Sequence, residues 1–270
     1  MNEKNRPFLK WPGGKYKLLD KILPKLPQSH TWVEPFVGAG AVFLNVNTEQ
    51  AILNDINPDL INLYQLIKTE GNTFIDYASQ FFNKKNNQEK KYYQLRTAFN
   101  ESEDIVLRSA LFLYLNRHGY NGLCRYNQKG GFNVPFGRYK NPKFPQQQLL
   151  YFHQKSQRAT FTCKDYRQIL KNLKKGSVVY CDPPYVPISE SASFTQYSGK
   201  IFTWQDQQDL AQMAIDLSRK GIQVLISNHD LKPLREIYRD AKITSFDVAR
   251  TINCNTQKRG PVKELLALFT

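Results

Sequence analysis

Residues 178–181 form an unbroken apolar run, Val178-Val179-Tyr180-Cys181, which stops at Asp182-Pro183-Pro184-Tyr185. A short strand that is apolar at every position suits a parallel sheet covered on both faces. Two consecutive prolines cannot donate to a ladder, so the strand ends there and holds Asp182 and Tyr185 at its carboxyl edge. Open α/β sheets bind their ligands at that edge. This junction predicts an α/β chain with a polar site where the strand stops.

The flanking pattern fits the same architecture. Residues 31–36 and 51–53 read as short buried strands, with residues 41–45 opening a helix between them, which together make a βαβ unit. Leu18, Leu19, Ile22 and Leu23 form a helical stripe ended by Pro24 and Pro27. Residues 59–68, 73–83, 91–100 and 105–116 read as helices, a contiguous block that runs into a Gly-rich basic region. From residue 177 strands return: 177–181, a helix over 204–220, a strand over 223–227, a short helix over 233–239, and closing strands over 242–249 and 262–269. The order predicts two halves of one sheet interrupted by a mainly helical insert.

Charge separates the middle of the chain from its flanks. The 270 residues hold 38 Lys and Arg against 23 Asp and Glu, a formal net charge of +15. Residues 81–175 carry 19 basic and 5 acidic side chains, whereas residues 1–80 carry 8 and 8 and residues 176–270 carry 11 and 10. No carboxylate occurs in the 60 positions between Asp104 and Asp165. Such a surface is suited to a polyanion. Inside it, Arg117, Tyr120, Asn121, Arg125, Tyr126, Asn133, Phe136, Arg138 and Tyr139 are interleaved with turn-forming Gly and Pro. Arg and Asn can read base edges bidentately, and aromatic rings stack on bases or wedge between them.

Several function classes are excluded or disfavoured. A hydrophobic content of 41% and an aromatic content of 13% are too high for a disordered chain, and no run approaches the ~18 apolar residues of a membrane span. The polar start, Met1-Asn2-Glu3-Lys4-Asn5-Arg6, has no apolar signal core, so a cytoplasmic chain with no membrane partner is expected. Cys124, Cys163, Cys181 and Cys254 form no C-x-x-C pair, and His30, His118, His153 and His229 are scattered. No metal site is expected, and the four thiols are expected to be buried and structural.

Two motifs point to a nucleoside-containing cofactor. Val37-Gly38-Ala39-Gly40 follows a strand, and Asp55 ends the next one, where a carboxylate can hold ribose hydroxyls. The full dinucleotide fingerprint fails because position 43 is Phe, and Gly13-Gly14-Lys15 fails as a P-loop because positions 9 and 16 are Leu and Tyr. Asp182 and the Pro183 carbonyl then suit one chemistry. An exocyclic amino group on a nucleobase is a poor nucleophile, and a pair of acceptors favours the pyramidal nitrogen that can be methylated in line with a sulfonium methyl. Tyr185 would stack on the base, and a base paired in a duplex would have to be flipped out to reach this edge.

In combination these stretches resemble the Dam family of DNA N6-adenine methyltransferases over essentially the whole chain. The resemblance is carried by the segment from Phe8 through Tyr16, Glu34-Pro35-Phe36-Val37-Gly38-Ala39-Gly40, Asp55-Ile56-Asn57, the stretch from Leu115 to Tyr139, Asp182-Pro183-Pro184-Tyr185 and Ile226-Ser227-Asn228-His229-Asp230. It implies a Rossmann-like methyltransferase sheet dependent on S-adenosylmethionine, with an inserted, mainly helical target-recognition domain carrying a basic, Gly- and aromatic-rich hairpin region. Residues 1–56 and 145–270 would form the catalytic domain and residues 57–144 the recognition domain. The implied reaction is methyl transfer to N6 of adenine in double-stranded GATC by a protein that is a monomer in solution and nucleoid-associated.

The same resemblance implies that Asp182, Pro183 and Tyr185 are catalytic. It makes Trp11, Lys15, Phe36, Gly38, Asp55 and Asp182 cofactor contacts. Lys10 and Arg125 would meet the outer guanines, Leu123 and Pro135 the central base pairs, and Tyr120 the space left by the flipped adenine, while Asn121, Asn133 and Arg138 contact or brace the site. Pro12 stands where the family usually has Ala, and His118 where an aromatic is common. The alternatives are an amino-methyltransferase of the same fold acting on N4 of cytosine or on RNA, and a catalytically idle DNA-binding relative.

Overall fold

The computed structural model describes residues 4–185, 202–248 and 262–270. Their chain order begins with a short helical stretch, Lys15–Leu18, α1 (Leu19–Ile22) and Leu23–Lys25. It continues through β1 (Ser29–Glu34), a 3₁₀ turn (Phe43–Asn45), β2 (Thr48–Asn54), α2 (Pro58–Glu70), α3 (Asn72–Ser79), α4 (Glu89–Glu101) and α5 (Ile105–His118). Next come α6 (Gln146–Ser156), β3 (Ala159–Thr162), α7 (Tyr166–Leu170), β4 (Ser177–Cys181), α8 (Trp204–Arg219), β5 (Gln223–His229), α9 (Lys232–Ile237), β6 (Lys242–Val248) and β7 (Val262–Phe269).

The strands form one seven-stranded sheet in the order β3-β2-β1-β4-β5-β7-β6. β1, β2, β3, β4 and β5 run parallel, and β7 is antiparallel to both β5 and β6. Parallel strands feed opposite faces alternately. Trp32, Val178 and Tyr180 pack into the core shared with α2, α3 and α5, while Val33, Val179 and Cys181 pack with Tyr166, Leu210, Ala214 and Leu234 on the other side. All five residues of β4 are buried, as an unbroken apolar strand requires. The helical insert shares its core with the sheet: Phe112, Leu113 and Tyr92 belong to the same cluster as Trp32 and Leu53. This is a Rossmann-like sheet, wound on both faces with an antiparallel closing pair.

The expected helix after β1 is only the 3₁₀ turn Phe43–Asn45. Gly38 and Gly40 take φ of +46° and +69°, and the Val37 amide is tied across to the Asn54 carbonyl. The chain therefore turns tightly at the sheet edge instead of entering a helix at once. α6, β3 and α7 lie in a stretch where no elements were expected. Cys124 and Cys181 are buried, but Cys163 is exposed, contrary to the expectation for all four thiols; it lies just past the end of the edge strand β3, which is covered on one side only. Cys254 lies outside the described residues. The Gly-rich region is held by two isolated antiparallel bridges, Gly119 to Phe136 and Tyr126 to Phe132.

Candidate active site

The chain order reverses between β1 and β4, and ligands of open α/β sheets sit at that switch point beyond the strand ends. A cavity of about 320 Å³ opens there, lined by Trp11, Lys15, Glu34, Phe36, Gly38, Asp55, Tyr166, Asp182, Pro183, Tyr185, Phe202 and other residues. All of the expected cofactor residues, together with Asp182, Pro183 and Tyr185, therefore line one cavity.

Asp182 leaves β4 with its carboxylate held by one cation and one hydroxyl from distant segments. Ser227 Oγ donates to Oδ1 at 2.9 Å, and Lys15 Nζ lies 2.9 Å from the same oxygen. Lys15 is 5% exposed; its Nζ also donates to the Gly13 carbonyl and lies 4.6 Å from the Tyr185 ring centroid. Among the described residues both contacts to the Asp182 carboxylate fall on Oδ1. Tyr185 is fixed by its hydroxyl, which donates to Glu264 at 3.1 Å, and by an edge contact with His229. Burial and the neighbouring Asp182 carboxylate push the Tyr185 phenol well above its ordinary value, so the ring is neutral.

The opposite end of the cavity is built around Asp55. Its carboxylate accepts from the amides of Gly38 and Asn57 at 3.1 and 3.0 Å. Burial raises its pKa to about 6, against the lowering effect of those amide bonds. Gly38 cannot carry a side chain here, because a Cβ would meet Trp11 Nε1 at 2.9 Å. Phe36, Tyr166 and Phe202 form a three-ring cluster with centroids 5.2 to 5.6 Å apart. The Arg167 guanidinium lies 4.6 Å from the Tyr166 centroid and is ion-paired with Asp165, Asp206 and Asp209. A slot with aromatic walls and a buried hydroxyl acceptor at its floor suits a nucleoside. Glu34 at the end of β1 is 2% exposed. Burial pushes its pKa up to about 8, opposed by the Trp32 and Phe43 hydrogen bonds and assisted by Asp182.

The insert presents the expected recognition residues around the Gly-rich segment. Lys10 reaches it from the N-terminal segment: its main chain pairs with the Asn116 side chain in both directions, and its Nζ lies 3.9 Å from the Tyr139 centroid. Burial and Arg117 lower the Lys10 pKa. Tyr120 is 48% exposed. Asn121 adopts φ +53° and its amide donates to the Tyr139 hydroxyl. Arg125 donates through Nε to Asn133 Oδ1 at 2.7 Å and through Nη2 to the Asn133 carbonyl, so Asn133 braces Arg125. Leu123 is half-buried against the core, and Pro135 is exposed. Arg138 is exposed, adopts φ +53°, and lies 3.5 Å from Glu89. His118 is stacked on Tyr114 in the core and is kept neutral, burial lowering its pKa to about 4.

The family described as D12 class N6 adenine-specific DNA methyltransferase matches residues 11–252. The DNA adenine methylase of Vibrio cholerae serotype O1 is 52% identical over 269 residues, covering 99% of this chain and 97% of the relative. The chain belongs to the D12-class N6 adenine-specific DNA methyltransferases. The DNA adenine methylase of Escherichia coli K12 is 51% identical, covering 99% of this chain and 96% of the relative. That of Serratia marcescens is 50% identical, covering 99% of each.

In this methyltransferase several residues in or behind the cavity carry no signature in the sequence. Ser227, which holds Asp182, stands in a motif that contributes to the family resemblance, yet nothing local marks it as a donor to a carboxylate 45 positions away. Glu34 reads as a strand-ending acid. Tyr166 and Phe202 stand 36 positions apart in the chain and meet only through the fold. Among the described residues no group of three or more His, Cys, Asp or Glu is arranged to hold a metal, and no helix is long and apolar enough to cross a membrane.

Proposed function

We propose that this methyltransferase moves the methyl group of S-adenosylmethionine to N6 of adenine in double-stranded GATC, with the target base turned out of the duplex into the cavity. The carrying observation is the juxtaposition at one switch point of Asp182 and Pro183 with the slot built on Asp55, Gly38 and the Phe36, Tyr166 and Phe202 rings. The slot fits the cofactor by its donor set. Asp55 accepts ribose hydroxyls, the aromatic cluster receives the purine, and Trp11 closes over Gly38 where a Cβ has no room. When bound there, S-adenosylmethionine supplies a methyl group activated by its sulfonium charge.

The chain's own residues do the rest. Asp182 Oδ2 and the Pro183 carbonyl accept the two amino hydrogens, so the nitrogen lone pair leaves conjugation with the ring and points at the methyl carbon. Transfer would form the C–N bond as the cofactor's C–S bond breaks, and the amino proton would leave through the Asp182 carboxylate to solvent. Ser227 and Lys15 keep the Asp182 carboxylate in place by occupying Oδ1, and the neutral Tyr185 ring stacks on the base. Extrusion of a paired base costs a few kcal/mol, which the Tyr120 side chain offsets by filling the vacated space.

Residues 1–56 and 145–270 are assigned to catalysis and residues 57–144 to target recognition. Arg125 and Lys10 read the outer guanines, Leu123 and Pro135 pack on the central pairs, and Asn121, Asn133 and Arg138 support them. Support for Arg125 is its bracing by Asn133, which holds the guanidinium in one orientation as base readout requires. The test is transfer from labelled S-adenosylmethionine to two duplexes that differ only in GATC against GTAC, followed by digestion to nucleosides. N6-methyladenine from GATC alone is expected. Label on cytosine, or equal transfer to both duplexes, refutes the assignment.

A further inference from the structure

Gln207 lies on α8, outside the residues that line the cavity, and is 1% exposed. Its Nε2 donates to the Pro184 carbonyl at 3.0 Å. Its Oε1 accepts from Asn228 Nδ2 at 2.9 Å and from the Tyr238 hydroxyl at 3.2 Å. The two donors on Oε1 fix the amide's orientation, because a reversed amide would set its NH₂ against two donors and its oxygen against a carbonyl. Asn228 Nδ2 also donates to the Tyr238 hydroxyl, and Asn228 Oδ1 accepts from the amide of His229, the residue whose ring packs against Tyr185.

A buried chain of hydrogen bonds thus runs from β5 and the C-terminal end of α9 through α8 to the back of the catalytic tetrapeptide. Two of its four residues are prolines, which have no N–H, so the segment can be anchored there only through its carbonyls. One carbonyl must face the substrate and the next must be held.

We propose that Gln207 is a positioning residue for methyl transfer: by holding the Pro184 carbonyl from behind, it sets the peptide planes so that the Pro183 carbonyl and the Asp182 carboxylate face the amino group together. The inference rests on the proposed role of Asp182 and Pro183 as amino-group acceptors. A displacement of about 1 Å at such a pair costs on the order of 10²-fold in rate.

The experiment compares the unaltered enzyme with Gln207→Leu and Gln207→Glu in single-turnover transfer to a GATC duplex. It also measures dissociation constants for S-adenosylmethionine and DNA. Gln207→Leu is expected to lose at least about tenfold in the transfer step while both dissociation constants stay within about twofold. A buried glutamic acid is protonated at low pH, and its O–H can then donate to Pro184 while the other oxygen accepts from Asn228 and Tyr238. Gln207→Glu should therefore approach the unaltered rate near pH 6 and fall below it as pH rises, an alkaline loss beyond that of the unaltered enzyme.

A Leu variant that transfers within twofold of the unaltered enzyme overturns the proposal. So does a Glu variant whose pH profile parallels that of the unaltered enzyme, and this profile decides if the Leu variant does not fold. If the unaltered enzyme methylates no duplex, the proposed function fails on its own. The hold on the tetrapeptide is then read from hydrogen exchange at the Tyr185 amide, faster in Gln207→Leu if Gln207 anchors the segment and unchanged if it does not.

Discussion

Asp182 receives Ser227 and Lys15 on one oxygen, which separates its structural partners from its chemical one. Asp182→Ala is expected to lower transfer by roughly 10²–10³-fold or more, while DNA affinity, which we assign to the insert as a proposal, changes little; labelled transfer and a binding titration check the two halves. Arg125→Ala should cost about 1–3 kcal/mol and relax discrimination at one guanine, whereas equal weakening on every sequence would make Arg125 a phosphate contact. Glu34 gives a pH signature. With its pKa raised to about 8 from an ordinary 4.5, the folded chain holds a proton there that the unfolded chain releases. Stability from this group is therefore present at low pH and falls as pH rises from about 4.5 to 8, with a limiting slope of about 1.4 kcal/mol per pH unit. Glu34→Gln should flatten that slope in denaturation midpoints taken at pH 5.5 and 8; an unchanged slope would remove Glu34 from the titration. Of these residues, Asp182 was legible because two prolines fix its place at a strand end, and Asp55 because it closes the next strand. The Lys15 to Asp182 ion pair was not, since it joins positions 167 apart and no local pattern encodes it.

At the scale of elements, the loop after β1 sets the proposed cofactor slot. Gly38 combines φ +46° with a Cβ position 2.9 Å from Trp11 Nε1, and its amide and carbonyl are both used, by Asp55 and by the Tyr64 hydroxyl. Gly38→Ala should therefore weaken S-adenosylmethionine binding by about tenfold or more with little effect on DNA affinity, as read by quenching of tryptophan fluorescence; unchanged affinity would show that the loop moves without cost. The glycines were visible in the sequence, but the length of the helix after them was not, because the Val37 to Asn54 backbone bond that turns the chain is a tertiary contact. α2 was legible from apolar periodicity and α5 from the unbroken apolar run Ala110 to Leu115, and each starts at a cap, Asn57 and Asp104, whose side chains accept from the first-turn amides. α6 opens on three glutamines with no side-chain cap, and β3 is a four-residue edge strand with two threonines. Neither carries a period long enough to stand out, and both are held by α2 and β2 rather than by local propensity.

For the whole molecule, charge distribution predicts how DNA affinity responds to salt. Residues 81–175 hold 19 basic and 5 acidic side chains, yet the structure spends several of those cations internally. Arg96 donates to the Val134 carbonyl, Arg108 pairs with Asp59, Arg117 donates to the Phe8 and Lys143 carbonyls, and Arg125 is engaged by Asn133. Arg117 is also desolvated enough for burial to lower its pKa. The number of phosphates neutralised should thus fall well short of the excess of +14 on residues 81–175, seven of whose cations lie outside residues 57–144. A plot of log Kobs against log salt for a GATC duplex is expected to have a slope of roughly −4 to −6, about five phosphate contacts at −0.9 each. A GTAC duplex should show a similar slope displaced to weaker binding, because phosphate contacts position the protein and base contacts specify the sequence. A slope near zero would remove the insert as the DNA surface. A slope near −12 would mean that the internally paired arginines exchange their carbonyl partners for phosphates when DNA binds, so that the insert rearranges on the duplex instead of docking as a preformed surface.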